Sequence, residues 1–466
     1  MTATDYLDPS AHGRERGRAL RREVPRASLA EVYSPRDRDP IAILTEQNAT
    51  RLPDLVPVRI GRMLQSPFAF YRGTAAVMAA DLRDAPTTNL DVVACGDAHI
   101  SNFGFYASPE RELVFDLNDF DEGGVAPWEW DVRRLTASVY IGGRDIGLSD
   151  DTCQAAAHDA AAMYQTVLRR FCRLSPTERY FARVDSSRVA REFEAVGTRT
   201  VKRAAKKARG RTAERVLATL TTTTTDGRLR IDDQPPILQH VDHASLDELG
   251  ELRTHYRHTL RDDIAYLLGQ YTLVDYALRV VGVGSVGTRC YLIALESAAG
   301  DVLFLQAKEA PPSVLTTYGG RPALIPGRSA STDYSEGHRV VAAQRILQST
   351  SDPFVGWVNG WAGDDAGRRR VDYYWRQFRD MKGSIDPATL NAAQYTRYAE
   401  LCAGLLARAH GQSPASASIV GYLGRSGAFA DAIATWSARY ADVAEADYEA
   451  LHKAVAAGRL PAETGV

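Results

Sequence analysis

Gly96-Asp97-Ala-His-Ile-Ser-Asn102, followed by Val114-Phe-Asp116-Leu-Asn-Asp119-Phe-Asp121-Glu122, is the densest polar constellation in this 466-residue chain. The run Asp91-Val-Val-Ala-Cys-Gly precedes it and Glu112-Leu-Val-Phe-Asp-Leu interrupts it; both have β-type patterns. A carboxylate and a carboxamide five residues apart therefore sit on a loop between strands. A short β excursion then delivers more carboxylates. Magnesium takes hard oxygen ligands from one or two carboxylates, completed by phosphates and water. Phosphoryl transfer asks for a carboxylate at the acceptor hydroxyl and an Asn and an Asp on metal, in this order. The alternative is an acidic turn cluster that only caps helices and turns.

Working outward, Val280-Val-Gly282-Val-Gly284-Ser285-Val-Gly287 is a second constellation. A glycine pattern of this kind opening a helix would suggest a dinucleotide fold. The continuation Thr288-Arg-Cys-Tyr-Leu-Ile-Ala-Leu295 is β-branched and aromatic, so a strand, glycine turn and strand are expected. Backbone amides in such a turn approach phosphates closely. Lys308 ends the apolar run beginning at Leu303, and a lysine there needs a partner. A phosphate is one candidate; Glu309 or Glu336 is the other.

The remaining pattern gives the organisation. Residues 1 to about 50 are polar and broken by Pro9, Pro25, Pro35 and Pro40, an extension with one short helix. Residues 128–268 are mainly helical, with Asp151 to Phe171 as one helix and eight Lys/Arg against Glu214 within 199–215. Leu278–Val283, Thr288–Leu295 and Val302–Ala307 form three β-type runs. Glu336–Gln348, 388–410 and 427–457 are helical, and Tyr373–Phe378 is an aromatic strand that borders a base pocket or simply fills a core. His255 and His258, beside Asp262 and Asp263, form a solvated helix face or a metal pair. The expected units are 1–88, 89–268, 269–385 and 386–466.

Composition removes other classes. Lys+Arg 56 against Asp+Glu 58 is not the balance of a dedicated nucleic-acid binder. The 5 Cys are scattered, without CxxC, which favours reduced thiols. No apolar run approaches a membrane span, and Arg21-Arg22 leads into Glu23-Val-Pro rather than an apolar signal core, so neither membrane nor nucleic-acid partners are expected and the location is cytoplasmic. Gly-x-Ser-x-Gly and His-Glu-x-x-His are absent, so serine hydrolase and zinc protease readings have no support.

At these residues the sequence resembles a bacterial family called domain of unknown function 2252. The resemblance rests on Arg62-Met, Ser66-Pro-Phe-Ala-Phe-Tyr-Arg72-Gly, the 95–104 and 115–122 stretches, Trp128-Glu-Trp-Asp131, Val281–Thr288, Gln306-Ala-Lys-Glu-Ala and Gln344-Arg-Ile-Leu-Gln. The same residues resemble the protein-kinase-like superfamily, especially aminoglycoside and choline phosphotransferases. That resemblance implies an α+β, two-lobed kinase-like fold with a small antiparallel sheet lobe and a larger, mainly helical lobe. It implies ATP and Mg²⁺ as cofactors and an unknown hydroxyl acceptor, a small molecule or a protein. Asp97 then matches the catalytic base, Asn102 and Asp119 the metal ligands, and Asp121 and Asp116 auxiliary ligands. Gly282, Gly284, Ser285 and Gly287 match the phosphate loop, Lys308 the strand lysine, and Glu336 or Gln344 the helix residue that pairs with it.

The order departs from that superfamily, because the glycine loop and lysine follow the catalytic loop. Reading 270–410 before 90–265 restores it, which implies a circular permutation. Nucleotidyl (AMP) transfer to a protein and a non-catalytic nucleotide-binding module are the alternative functions. A dinucleotide oxidoreductase would require a helix after Gly287.

Overall fold

The computed structural model describes residues 10–33, 35, 37–183, 198–211, 213–225, 227–241, 246–280, 282–328, 334–362, 369–378 and 381–465. Val281, within the glycine-rich stretch, lies outside the described residues.

The N-terminal segment folds as helices α1 (Ser10–Glu23), α2 (Pro40–Asn48), α3 (Val56–Met63), α4 (Pro67–Arg72) and α5 (Ala75–Arg83). The single short helix expected before residue 50 is thus two α-helices with a 3-10 turn, Arg26–Ala30, between them. Pro25 and Pro40, read as breakers, act as helix starters, and Pro9 lies outside the described residues. Pro40 occupies the first turn of α2, where no N–H is needed, and the Asp39 carboxylate accepts the N–H groups of Ile41 and Ala42, both at 3.0 Å.

The central stretch forms β1 (Asp91–Ala94), β2 (Phe103–Ala107), β3 (Leu113–Leu117) and β4 (Gly124–Pro127). β1 pairs antiparallel with β4, and β2 with β3. Two long helices follow, α6 (Trp128–Asp145) and α7 (Asp150–Phe171). Ser149 caps α7, Asp150 and Asp151 occupy its first turn and Arg169 and Arg170 its last, a charge order that suits the helix dipole. Helices Thr198–Arg209 and Ala213–Leu220 lead into β5 (Thr221–Thr223), β6 (Leu229–Ile231) and β7 (Leu238–Gln239). Helices Leu246–Arg257 and Asp262–Leu268 come next, with His255 and His258 exposed.

A six-stranded antiparallel sheet is built from β7, β8 (Tyr271–Arg279), β9 (Cys290–Ser297), β10 (Val302–Glu309), β11 (Gly356–Ala362) and β12 (Arg369–Gln377), in the order β11-β12-β10-β9-β8-β7. The helix α8 (Glu336–Leu347) separates β10 from β11 in sequence and packs on β11 and β12. The strand expected at Leu278–Val283 instead runs over Tyr271–Arg279. Asp275 breaks the apolar alternation at a register shift, and its carboxylate is taken by the Ile231 N–H at 2.6 Å and by His240. Thr288 and Arg289 belong to the turn, and β9 begins at Cys290.

The chain closes with α9 (Ala392–His410), α10 (Ser416–Leu423) and α11 (Ala428–Ala456). Asn391 and Gln394 form a reciprocal capping box at the start of α9. The helical core gathers around Trp128, stacked on Tyr164 with ring centroids 5.8 Å apart, and Phe429. The sheet core gathers around Trp375, stacked on Tyr256 at 4.7 Å, with Ile293 and Leu305. Each such fully buried large side chain contributes about 1.5–3 kcal/mol. Leu249, Tyr256, Leu260 and Leu268 share the sheet core.

Candidate active site

The loop after β1 is fixed from below by α6. Asp131, 1% exposed in the first turn of α6, accepts the N–H groups of Cys95 at 2.6 Å and Gly96 at 2.9 Å, and the Nε2 of His410 lies 3.1 Å from it. Gly96 has a positive φ of 78°, and a Cβ there would lie 2.2 Å from the Glu122 carbonyl oxygen, so only glycine fits. Just beyond α9, the Ser413 hydroxyl accepts the Val93 N–H at 3.1 Å. The end of α9 therefore sits beside β1, more than 300 residues away in sequence.

Asp97 leaves this loop with one carboxylate oxygen held. Its Oδ1 accepts from Arg134 Nε at 2.8 Å, while Oδ2 lies 3.8 Å from His99 Nε2. Arg134 in turn donates to the Tyr71 carbonyl at 2.6 Å and stacks 3.9 Å from the Tyr71 ring centroid. Burial pulls the His99 imidazole down to about 3, with Asp97 opposing, so this ring stays neutral at ordinary pH.

Asn102 is 5% exposed, and its amide nitrogen donates to the Asp97 carbonyl at 2.9 Å and the Asp119 carbonyl at 3.3 Å. Among the described residues no hydrogen bond reaches its Oδ1. Asp119 lies beneath it; burial opposes ionisation, but the Lys308, Arg376 and Lys382 cations hold its carboxyl below the usual range.

The sheet contributes from the opposite side. Lys308, 2% exposed on β10, donates to Asp121 Oδ2 and, at 3.0 Å, to Ser285 Oγ. Tyr374 of β12 donates to the other Asp121 oxygen at 2.6 Å. Burial alone would lower the Lys308 pKa; Asp119 and Asp121 reverse this and raise it. Arg339 of α8 ties these segments further, donating to the Asp121 carbonyl and the Pro311 carbonyl, each at 3.0 Å, and to the Gly123 carbonyl.

These groups open onto one cleft of about 490 Å³. It brings together Asp97, Asn102, Asp119, Asp121, Gly282, Gly284, Ser285 and Lys308. Gly287 is not among its lining residues: its carbonyl accepts the Leu52 N–H at 2.8 Å and its Cα backs onto Arg51. Asp116 is fully buried away from the cleft, bonded to the N–H groups of Leu117 and Ser349. Both oxygens of Asp121 are engaged by side chains, so as arranged it partners Lys308 rather than standing free for metal. Glu336 and Gln344 do not meet Lys308 either: Glu336 bonds Arg339, and Gln344 bonds Gln348. Glu309 pairs with Arg289 and Arg369. Among the described residues no group of three or more His, Cys, Asp or Glu side chains is arranged to hold a metal. Asn102 and Asp119 would thus need oxygens from the ligand and water to complete a cation site.

The sequence reading missed the basic wall. Arg51, Arg59 and Arg72 reach the cleft from the N-terminal segment, Arg376 from β12 and Lys382 from the segment after it. Cations outnumber carboxylates along the lining. Among the described residues the Arg72 side chain has no hydrogen-bond or ion-pair partner, and its Nε is buried. Burial depresses its pKa, with Asp97 and Asp119 opposing. Arg376 pushes the Lys382 ammonium down to about 7, with burial adding to it. The signal for Arg72 lay in Phe68-Ala-Phe-Tyr-Arg72, a cation at the end of an apolar helical run. The N-terminal segment also grips the glycine turn, through Arg62 to the Gly282 carbonyl at 2.7 Å and Arg51 to the Val286 carbonyl.

The fold and cleft define a mixed α+β protein with small antiparallel sheets and a polar cleft lined by more cations than carboxylates. The chain belongs to the family described as uncharacterized protein conserved in bacteria (DUF2252), whose model matches residues 51–454. No curated protein and no solved structure matches it. Among the described residues no helix is long and apolar enough to cross a membrane.

Proposed function

We propose that the protein is an ATP-dependent phosphotransferase of the cytoplasm with a circularly permuted kinase-like fold, moving the γ-phosphoryl group to a hydroxyl of a small molecule or protein. The observation that carries this reading is the convergence of Asp97, Asn102 and Asp119 from one side with Lys308, Ser285 and the glycine turn from the other, on a single cleft. Topology supports it. The β1/β4 and β2/β3 pairs flank the two polar loops, and α8 follows β10 before β11 and β12 complete the sheet. The end of α9 meets β1 where a kinase chain would run straight on. A strand rather than a helix after Gly287 removes the dinucleotide oxidoreductase.

Asp97 would take the proton of the acceptor hydroxyl on Oδ2, because Arg134 already fixes Oδ1 and hence the side-chain rotamer. Asn102 Oδ1 and the Asp119 carboxylate are the oxygens that would hold Mg²⁺, which when bound neutralises phosphate charge. Lys308, Ser285 and the amides of the 282–285 turn would orient the phosphates. The free guanidinium of Arg72 faces Asp97 and Asp119 and would stabilise charge on the phosphoryl group in transfer. Catalysis would be positioning and charge neutralisation.

The test is calorimetric titration of ATP with and without Mg²⁺, then incubation of the protein with γ-labelled ATP and cell extract. Mg²⁺-dependent binding and label on a product support the reading. A product heavier by a whole nucleotide monophosphate would replace it with nucleotidyl transfer, and binding without turnover with a nucleotide-binding module. No nucleotide binding at all would end it.

A further inference from the structure

Six arginines surround a second cavity, of about 220 Å³, that shares no lining residue with the cleft. Arg14, Arg18 and Arg21 descend one face of α1 at helical spacing. Arg169 and Arg173 come from the end of α7 and just beyond it, and Arg425 from the turn between α10 and α11. The pocket exists because α1 and α10 touch backbone to backbone. A Cβ on Gly17 would lie 1.9 Å from the Ser418 carbonyl oxygen, and one on Gly421 would lie 2.3 Å from that of Arg14.

Part of this charge has a structural use. Arg21 donates to the Tyr422 carbonyl at 2.8 Å and to that of Gly421, and Arg169 donates to the Gly424 carbonyl. They cap the C-terminal end of α10, whose dipole supplies roughly half a negative charge. That end accounts for two arginines and balances less than one. Arg14, Arg18, Arg173 and Arg425 remain, with no ion pair or hydrogen bond among the described residues, and the Nε of Arg14 is buried and unpartnered. Among the described residues no carboxylate lines the cavity. The cations crowd one another: Arg21 is depressed by burial, then by Arg26 and Arg18, and Arg169 by burial, then by Arg425 and Arg173. Like charges gathered in a concave site without counter-charge call for an anion, and guanidinium forks match phosphoryl oxygens two at a time.

We propose that this pocket binds a small inorganic polyphosphate, pyrophosphate or tripolyphosphate. Its volume lies below the roughly 300–1,000 Å³ of drug-sized sites, which suits a compact ion of high charge density. The four uncommitted guanidinium groups match the charge of such an ion and exceed what orthophosphate or sulfate can use.

The test is calorimetric titration of the full chain with pyrophosphate, tripolyphosphate, orthophosphate and sulfate at constant ionic strength. A triple variant, Arg18→Gln/Arg173→Gln/Arg425→Gln, is compared. These three side chains are exposed, so the fold is retained, which circular dichroism checks. Pyrophosphate should bind at least about tenfold more tightly than sulfate, and the triple variant should lose about tenfold or more of that affinity. An Asp119→Asn chain should keep this site, whatever becomes of nucleotide binding in the cleft. Equal affinity for pyrophosphate and sulfate, or unchanged affinity in the triple variant, overturns the proposal. So does tighter, length-dependent binding of an RNA oligonucleotide or of anionic vesicles, which would make the patch a macromolecular surface.

Discussion

Lys308 and Asp121, 187 positions apart, form an ion pair that joins the sheet to the loop after β3, and Ser285 of the glycine turn closes the triangle. Lys308 is nearly dry, at 3% side-chain exposure, whereas Asp121 keeps 20%. Lys308→Met would leave the Asp121 carboxylate and Tyr374 hydroxyl without their cation, at a cost on the order of 2–4 kcal/mol. The low end is expected, because Asp121 retains contact with water. Lys308→Met/Asp121→Asn should recover a good part of the loss. Urea denaturation of the four species gives the coupling directly. Strictly additive losses would mean that the pair contributes nothing as a unit.

The same geometry separates two neighbouring aspartates. Asp119→Asn should abolish Mg²⁺-dependent binding of ATP, because it removes the carboxylate beneath Asn102. Asp121→Asn should weaken binding less than tenfold, by about 1 kcal/mol, since its oxygens serve Lys308 and Tyr374. Thermal shift with and without Mg²⁺ reads both. The reverse ranking would return Asp121 to the metal and make its ion pair a resting arrangement.

Glu122 carries a pH signature. Burial pushes its carboxyl from 4.5 up to about 7, opposed chiefly by the Val314 N–H at 2.7 Å. A folded pKa above the unfolded one means that the native state holds the extra proton between these values. Stability therefore falls as pH rises from about 4.5 to about 7, and the penalty is complete above that window. Glu122→Gln should be more stable than the parent at pH 8, by up to about 3 kcal/mol, and equal to it near pH 4.5. Denaturant midpoints across this range check it; a Gln variant that loses stability at pH 8 would contradict it.

Much of the cleft was legible because its residues cluster in sequence. Asp97, Asn102 and Asp119 fall within two short connections, and Ser285 and Lys308 within one meander of three successive strands, so residue chemistry and strand punctuation sufficed to group them. The partner of Lys308 was not legible, since Asp121 looked like one more metal-type oxygen and only the register of β10 against β12 brings Tyr374 and Lys308 around it. The first strand of the sheet was displaced by Asp275, whose buried bonds come from β6 and His240. Residues 1 to about 50 read only as a polar extension with one short helix. Of the arginines that reach the cleft from the N-terminal segment, Arg72 ends an apolar helical run, whereas Arg51 and Arg59 carry no pattern that separates a solvated face from a guanidinium aimed into a cleft.

Arg72 gives the most direct test of how that wall is used. It stands at the end of α4, near Asp97 and Asp119, with its guanidinium uncommitted, so no network is lost on truncation. Arg72→Ala should change stability by less than about 1 kcal/mol. If Arg72 meets the phosphoryl group only in transfer, kcat and kcat/KM should fall together, by roughly 10³-fold, with KM nearly constant. Lys keeps the charge but not the fork, so Arg72→Lys should recover only part of the rate. Added guanidinium chloride at millimolar concentration should rescue the alanine variant in a saturable way. A rise in KM with unchanged kcat would instead make Arg72 a ground-state anchor for phosphate, because an interaction present equally before and during transfer cannot raise the rate of the chemical step.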